Sequence, residues 1–92
     1  MNHLLFFSGM DCPHCDIMRN LIQRLDTEFG IIVDEREVWH NEANYRLLEN
    51  YTTDHDCPGI PVFVNTQSGV VLCGEVSYKQ LSSWAMGGNV VQ

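Results

Sequence analysis

The sequence predicts a small α/β domain, a four-stranded mixed sheet with helices on both faces in the order β-α-β-α-β-β-α. Three observations support this fold class. Apolar or β-branched runs alternate with segments of helical periodicity in the first half of the chain, which is typical of parallel strands joined by helices. Two short runs around the turn TQSG predict an antiparallel hairpin. The length of 92 residues and the hydrophobic fraction of 45% suit one domain spanning residues 1–92.

The first strand and helix are the most clearly marked elements. HLLFFS, at residues 3–8, is a short apolar run typical of a strand buried on both faces. Gly30 is suited to end the following helix, and Pro13 falls in its first turn, where a missing N–H is harmless. The apolar residues of this helix recur on one face, at Ile17, Met18, Leu21, Ile22, Leu25 and Phe29.

The middle of the chain supplies one strand and one helix. Residues 31–38, IIVDEREV, predict an edge strand, since β-branched residues favour a strand and charges discourage pairing with other chains. Asn41 can cap a second helix that runs to about Tyr51, with Leu47 and Leu48 facing inward. Because a helix joins the first two strands, we expect them to be parallel, with a right-handed crossover.

The C-terminal part of the chain predicts a loop, a hairpin and a last helix. The segment TTDHDCPGIP is rich in turn formers and leads into hairpin strands at residues 61–65 and 70–74. Ser77 and Gln80 have the spacing of a capping box for a helix at about residues 78–86. The apolar side of this helix carries Leu81, Trp84 and Ala85.

The charge balance limits the classes of partner. The chain has 12 acidic and 5 basic side chains, for a formal net charge of -7. It lacks the cationic surface that binds phosphate, so we expect neither a nucleic-acid nor a membrane partner. No apolar stretch approaches the roughly 20 residues of a membrane span, and the N-terminus lacks the features of a signal peptide. We therefore expect a cytoplasmic monomer, whose four cysteines serve catalysis or metal binding rather than a disulfide framework.

The motif CPHC carries the clearest chemistry in the chain. Cys12 and Cys15 are three residues apart at a predicted helix start, where their sulfurs can form a disulfide. The helix N-terminus, the Cys15 S–H and a positive charge or N–H from His14 each stabilise a Cys12 thiolate. Cys12 is therefore the candidate nucleophile and Cys15 the resolving thiol, with Pro13 and His14 tuning the couple. Two packed, structural cysteines are the alternative interpretation.

Two aspartates flank the motif and act in the opposite direction. Asp11 and Asp16 place negative charges near the sulfur of Cys12, and these charges oppose its deprotonation to the thiolate. We therefore predict a Cys12 pKa below that of a free thiol but above that of the strongest CPHC oxidants, to be measured by thiolate titration.

CPHC, GIPVFVN and CGEVSYKQL together make the chain similar to small members of the thioredoxin superfamily over nearly its whole length. The resemblance implies a thioredoxin-like fold and thiol-disulfide oxidoreductase activity through Cys12 and Cys15. It also implies a cis peptide bond before Pro61, beside the CxxC, which lets the backbone of Ile60 pair with a substrate chain. Gly74 stands where glutaredoxins carry part of a glycine pair in their glutathione site. Ile60, Pro61 and Gly74 are therefore the expected substrate-binding residues.

Individual features resemble different branches of the superfamily. CPHC is the motif of bacterial periplasmic disulfide oxidases, whose inserted helical domain is absent here. The short length resembles glutaredoxins, whose glutathione-binding pattern is poorly kept, and GIP is the thioredoxin form. We expect an enzyme closer to thioredoxin that reduces or exchanges protein disulfides, with electrons from a thioredoxin reductase or from glutathione.

This expectation includes no bound cofactor or metal besides the redox-active Cys12-Cys15 disulfide. One alternative is a glutathione-dependent glutaredoxin that uses glutathione as its cosubstrate. Another is a non-catalytic protein that binds zinc or an iron-sulfur cluster through the same cysteines.

The other two cysteines carry separate expectations. Cys57 lies four residues before Pro61, near the rim of the CxxC, as a third redox thiol, a metal ligand or, the favoured interpretation, a plain loop cysteine. Cys73 is expected to face Val62 across the hairpin as a packed, inert thiol. A disulfide between Cys57 and Cys73 needs Cα atoms within about 7 Å, which that hairpin register does not favour.

Overall fold

The computed structural model describes residues 2–92, which form one four-stranded sheet and three helices in the predicted order. No helix in this part of the chain is long and apolar enough to cross a membrane. The elements are β1 (Leu4–Ser8), α1 (Pro13–Phe29), β2 (Asp34–Glu37), α2 (Glu42–Thr52), β3 (Val62–Asn65), β4 (Val71–Cys73) and α3 (Tyr78–Ala85).

The sheet is mixed, with the strand order β2-β1-β3-β4. As predicted, β1 is parallel to β2, and β3 pairs antiparallel with β4; β1 and β3 are also antiparallel. Phe7 of β1 lies opposite Val62 of β3, so the C-terminal end of β1 and the start of β3 lie at the same end of the sheet. Parallel pairing brings the C-terminal end of β2 to this end as well. The segments that follow β1 and β2 and precede β3 therefore lie near one another.

The sheet separates two apolar cores. On one face, beneath α1 and α3, the rings of Phe6 and Phe63 stack 5.0 Å apart, and Trp84 meets Phe63 edge-on at 5.5 Å. On the other face, Leu48 of α2 belongs to a core that includes Phe7. Every residue of β1 is buried, as its apolar run predicts, because the two faces of the strand enter different cores.

The helix ends follow the signals in the sequence. Cys12 is the N-cap of α1, and Gly30 ends that helix in the left-handed region, at a φ of 66°. The side chain of Asn41 caps α2. Ser77 and Gln80 form the complete capping box before α3. Local capping signals therefore determine where the three helices that pack on the sheet begin or end.

The second strand is shorter than predicted. Instead of residues 31–38, β2 covers Asp34–Glu37, at the expected edge position. Ile31 and Val33 pack against the core beneath α1. These β-branched residues therefore pack against the core, although their strand propensity predicts pairing within the sheet. Tertiary contacts override this weak local preference.

The expectation of unpaired Cys57 and Cys73 is wrong, because the two form a disulfide with Cα atoms 5.3 Å apart. Cys73 does lie opposite Val62, as predicted, so it is on the same face of the sheet as Val62, which belongs to the core that includes Leu48. Cys57 packs against that same core. The hairpin register determined only the face of the sheet on which Cys73 lies. The identity of its disulfide partner depends on the path of the loop at residues 53–61. The Cys12-Cys15 disulfide was expected, so Cys57-Cys73 is the pairing in residues 2–92 that the expectation against a disulfide framework did not include.

Candidate functional site

Cys12 and Cys15 form a disulfide at the N-terminus of α1, with Cα atoms 5.2 Å apart. Cys12 is 4% exposed and Cys15 is fully buried, and Pro13 occupies the first turn between them. The backbone N–H of Cys15 donates to the Cys12 Sγ at 3.1 Å. An N–H in this position, supported by the helix dipole, stabilises negative charge on Cys12 once the disulfide is reduced.

Arg19 compensates one of the two aspartates beside the motif. Its guanidinium pairs with the carboxylate of Asp16, one turn along α1, and also reaches the Gly9 carbonyl at 3.4 Å. Asp11 is exposed and forms no ion pair with any part of the chain between residues 2 and 92. Asp11 is therefore the uncompensated charge next to Cys12, while Asp16 is neutralised in part by Arg19.

Glu35 holds Arg19 in this position. The Arg19 Nη2 donates to the Glu35 Oε2 at 2.8 Å, and the buried hydroxyl of Ser8 donates to the same oxygen at 2.7 Å. Burial raises the pKa of Glu35, but the hydrogen bonds from Arg19 and Ser8 and the charge of Arg19 outweigh it, so this pKa lies below its ordinary value.

We expect Glu35→Gln to lower the free energy of unfolding by about 1 kcal/mol at pH 7, because solvent screens this partly exposed pair. Stability from a carboxylate with a lowered pKa is present above its unfolded-state pKa and is lost as pH falls through the folded-state pKa. Urea unfolding of the variant and the natural chain should therefore converge in acid. Glu28→Gln, at the exposed Arg24 pair, is the control and should change stability less. A stability gap for Glu35→Gln that stays constant with pH would contradict the assignment.

His14 pairs with an acidic residue that follows β4, at the same end of the sheet as the CxxC. Its Nδ1 lies 2.8 Å from the Oε1 of Glu75, which follows β4, and both side chains are exposed. The Nδ1 of His14 therefore contacts Glu75 and not the Cys12 sulfur. The partners are 61 residues apart, and no local pattern in the sequence links them.

The three predicted substrate-binding residues lie together. The Ile60-Pro61 peptide bond is cis, as the family resemblance implies. The carbonyl of Pro61 accepts from the N–H of Gly74 at 2.8 Å, and Gly74 has the left-handed φ of 81° that favours glycine. Within residues 2–92, the backbone of Ile60 forms no hydrogen bond. Its peptide groups are therefore available to an extended chain.

Trp39 covers the backbone just before the CxxC. A Cβ on Gly9 would lie 2.5 Å from the Trp39 ring and 2.7 Å from the Cδ1 of Ile60. Trp39 is 53% exposed and Met10 is 65% exposed. We call Met10, Trp39 and Ile60 the apolar rim. Sequence reasoning missed Trp39. Its position directly after a predicted outer strand that is parallel to β1 places it at the same end of the sheet as Cys12.

Glu37, at the end of β2, anchors two parts of this rim. Its carboxylate accepts the N–H of Met10 at 3.2 Å, of Trp39 at 2.9 Å and of His40 at 2.8 Å. Burial raises the pKa of Glu37, but the hydrogen bonds from His40 and Trp39 outweigh it and lower this pKa. A fixed negative charge therefore lies behind the apolar rim.

Gly9→Ala should displace the Trp39 ring and lower the free energy of unfolding by about 1 kcal/mol, at the low end for overpacking because an exposed ring can move. Trp84 is fully buried, so acrylamide quenching of tryptophan fluorescence reports mainly on Trp39 and should increase. Gly59→Ala is the matched control, since its Cβ meets no atom within 4 Å. Equal quenching and stability in the two variants would contradict the close contact at Gly9.

All four cysteine sulfurs are in disulfides, and no group of three or more His, Cys, Asp or Glu side chains in the described part of the chain is arranged to hold a metal ion. No family model, curated protein or solved structure matches the chain. The interpretation of the site therefore depends on its residues and their geometry.

Proposed function

We propose that this chain is a thiol-disulfide oxidoreductase of thioredoxin-like fold that reduces or exchanges protein disulfides through Cys12 and Cys15. The observation that carries the proposal is the Cys12-Cys15 disulfide at the start of α1, with the Cys15 N–H directed at the Cys12 sulfur. The element order and the strand order β2-β1-β3-β4 support the fold assignment.

The proposed reaction starts from the reduced pair. The Cys12 thiolate attacks one sulfur of a substrate disulfide, and the other substrate sulfur leaves as a thiolate that takes a proton from solvent. Cys15 then loses its proton and attacks the Cys12 sulfur, which releases the second substrate thiol. Two electrons and two protons pass to the substrate, and the protein is left with the Cys12-Cys15 disulfide. A thioredoxin reductase or two molecules of glutathione would restore the dithiol.

The surroundings of Cys12 favour a polypeptide substrate. The unpaired backbone of Ile60 can form main-chain hydrogen bonds with an extended segment, as in strand addition. Met10 and Trp39 offer apolar side chains beside it. A substrate that docks along this rim would reach Cys12, a residue that is only 4% exposed.

Charge favours the thioredoxin-like branch over glutathione specificity. Glutathione is anionic at neutral pH, whereas Asp11, Glu37 and Glu75 place acidic groups around the site and the chain has a net charge of -7. Like charges lower the encounter rate of a small anion. A basic or neutral polypeptide avoids this repulsion.

Two coupled assays test the function and its branch. Insulin reduction is measured with NADPH and a thioredoxin reductase, and separately with glutathione and glutathione reductase. We expect turnover in the first assay to exceed that in the second. The opposite order would assign the glutaredoxin alternative, and the absence of turnover in both would contradict the proposed function. The cytoplasmic location and the monomeric state stay predictions.

A further inference from the structure

We propose that Cys57-Cys73 is a second redox-active disulfide, whose reduction by thiols releases the segment at residues 53–60 and so weakens polypeptide exchange at Cys12. The inference rests on the function proposed for Cys12 and Cys15. It concerns a different pair of sulfurs, on the opposite face of the sheet.

The second disulfide is placed to position Ile60. Cys57 is separated from Pro61 by only three residues, so Ile60 stays within about 11 Å of the Cys57 Cα even when this stretch is extended. Cys73 is the last residue of β4, and the next N–H, from Gly74, binds the carbonyl of Pro61. The disulfide therefore links the segment that precedes Pro61 to the end of β4. The residue that follows β4, Gly74, in turn binds the carbonyl of Pro61.

Few other contacts hold this segment. Residues 56–60 make no hydrogen bond to any residue between 2 and 92. Most residues of this loop are exposed, and Cys57 and Ile60 are the ones that pack against the cores. Cleavage of the disulfide would leave Ile60 tethered through Pro61 and its own side chain alone.

The partner strand is fixed independently of the disulfide. The side-chain amide of Gln92 brackets the backbone of Cys73, accepting its N–H and donating to its carbonyl at 2.8 Å in both cases. β4 also pairs with β3 along its length. Reduction should therefore mobilise the loop at residues 53–60 and leave β4 in place.

The second disulfide is also the more accessible of the two. Cys57 and Cys73 are both half-buried, whereas Cys12 and Cys15 are buried. A thiolate such as that of glutathione can attack one sulfur and form a mixed disulfide, and a second glutathione thiolate then releases it. The protein gains two electrons and two protons as two thiols, and two glutathione molecules become one glutathione disulfide.

A redox titration tests whether the pair cycles. The chain is equilibrated in glutathione buffers of increasing reducing strength, free thiols are blocked with N-ethylmaleimide, and the blocked cysteines are located by peptide mass spectrometry. We expect Cys57 and Cys73 to become blocked together in the folded protein, and to do so also in the Cys12→Ala/Cys15→Ala variant. A purely structural disulfide resists the glutathione pool. Reduction that occurs only in urea would overturn the proposal.

Limited proteolysis tests the loop without an activity assay. Asp54 and Asp56 are exposed sites for endoproteinase Asp-N, and Asp26 within α1 is the internal reference. Reduction by glutathione, or the Cys57→Ala/Cys73→Ala variant, should raise cleavage at Asp54 and Asp56 about tenfold relative to Asp26, because cleavage follows local opening. Unchanged relative cleavage would overturn release of the loop.

Kinetics test the link to substrate. In the Cys57→Ala/Cys73→Ala variant we expect kcat/KM for insulin to fall about tenfold, mainly through KM, because Ile60 is no longer positioned. The rate with hydroxyethyl disulfide, which needs no backbone pairing, should stay within about twofold. An equal loss for both substrates, or no loss for either, would overturn the link. If the natural chain reduces neither substrate, the proposed function fails, while the titration and the proteolysis still decide the fate of the second disulfide.

Discussion

Cys12→Ser will lower kcat/KM for insulin reduction at least about 10³-fold, because a serine hydroxyl has no anionic form at neutral pH to replace the thiolate. The fold should tolerate the change, since Cys12 contributes a cap at the helix start and serine is a favoured N-cap residue. Circular dichroism and urea unfolding establish that the variant is folded. Activity equal to that of the natural chain would contradict the role of Cys12 as the nucleophile.

Cys15→Ser is the matched control, since it removes a sulfur three residues away from the same helix start. Cys12 can still attack a substrate in this variant, but no thiol remains to resolve the mixed disulfide. We expect loss of turnover together with a stable adduct between Cys12 and the substrate, detected as an added mass that dithiothreitol removes. Adduct formation at Cys57 or Cys73 would assign the first attack to a different sulfur.

Cys57→Ala/Cys73→Ala will lower the free energy of unfolding by about 3 kcal/mol. The bond links residues 16 apart in sequence, and opening a loop of this length returns chain entropy to the unfolded state. Such a loss is a large share of the 5–15 kcal/mol typical of a small domain, yet it should leave the fold intact. Urea unfolding of the oxidised proteins measures it.

The same double substitution at the other pair is the control. Cys12 and Cys15 are only 3 positions apart in sequence, so the chain-entropy effect of their disulfide is smaller, about 1.5 kcal/mol. We expect Cys12→Ala/Cys15→Ala to remove activity with the smaller loss of stability, whereas Cys57→Ala/Cys73→Ala should lose more stability but keep about a tenth of the kcat/KM for insulin. A larger stability loss at the first pair would contradict this division of roles.

The candidate nucleophile and its setting were predictable from the sequence. Their signals are local: an apolar run, a CxxC at a helix start, Pro13 in the first turn and Gly30 at the end of the helix. The hairpin register that places Cys73 opposite Val62 was also predictable, because the length of the turn determines it. Short-range backbone preferences encode such features, so they can be inferred without knowing the rest of the fold.

Only the tertiary structure decided which distant side chains meet. The Cys57-Cys73 disulfide depends on the path of a loop without regular structure, and the pairing of His14 with Glu75 joins residues 61 positions apart. The contact of Trp39 with Gly9 likewise depends on how β2 lies beside β1. The sequence by itself thus determined a strand-helix unit with a CxxC at its junction. Loop path and sheet order decided what surrounds that junction, because these contacts arise from packing of the whole chain, which local periodicity does not specify.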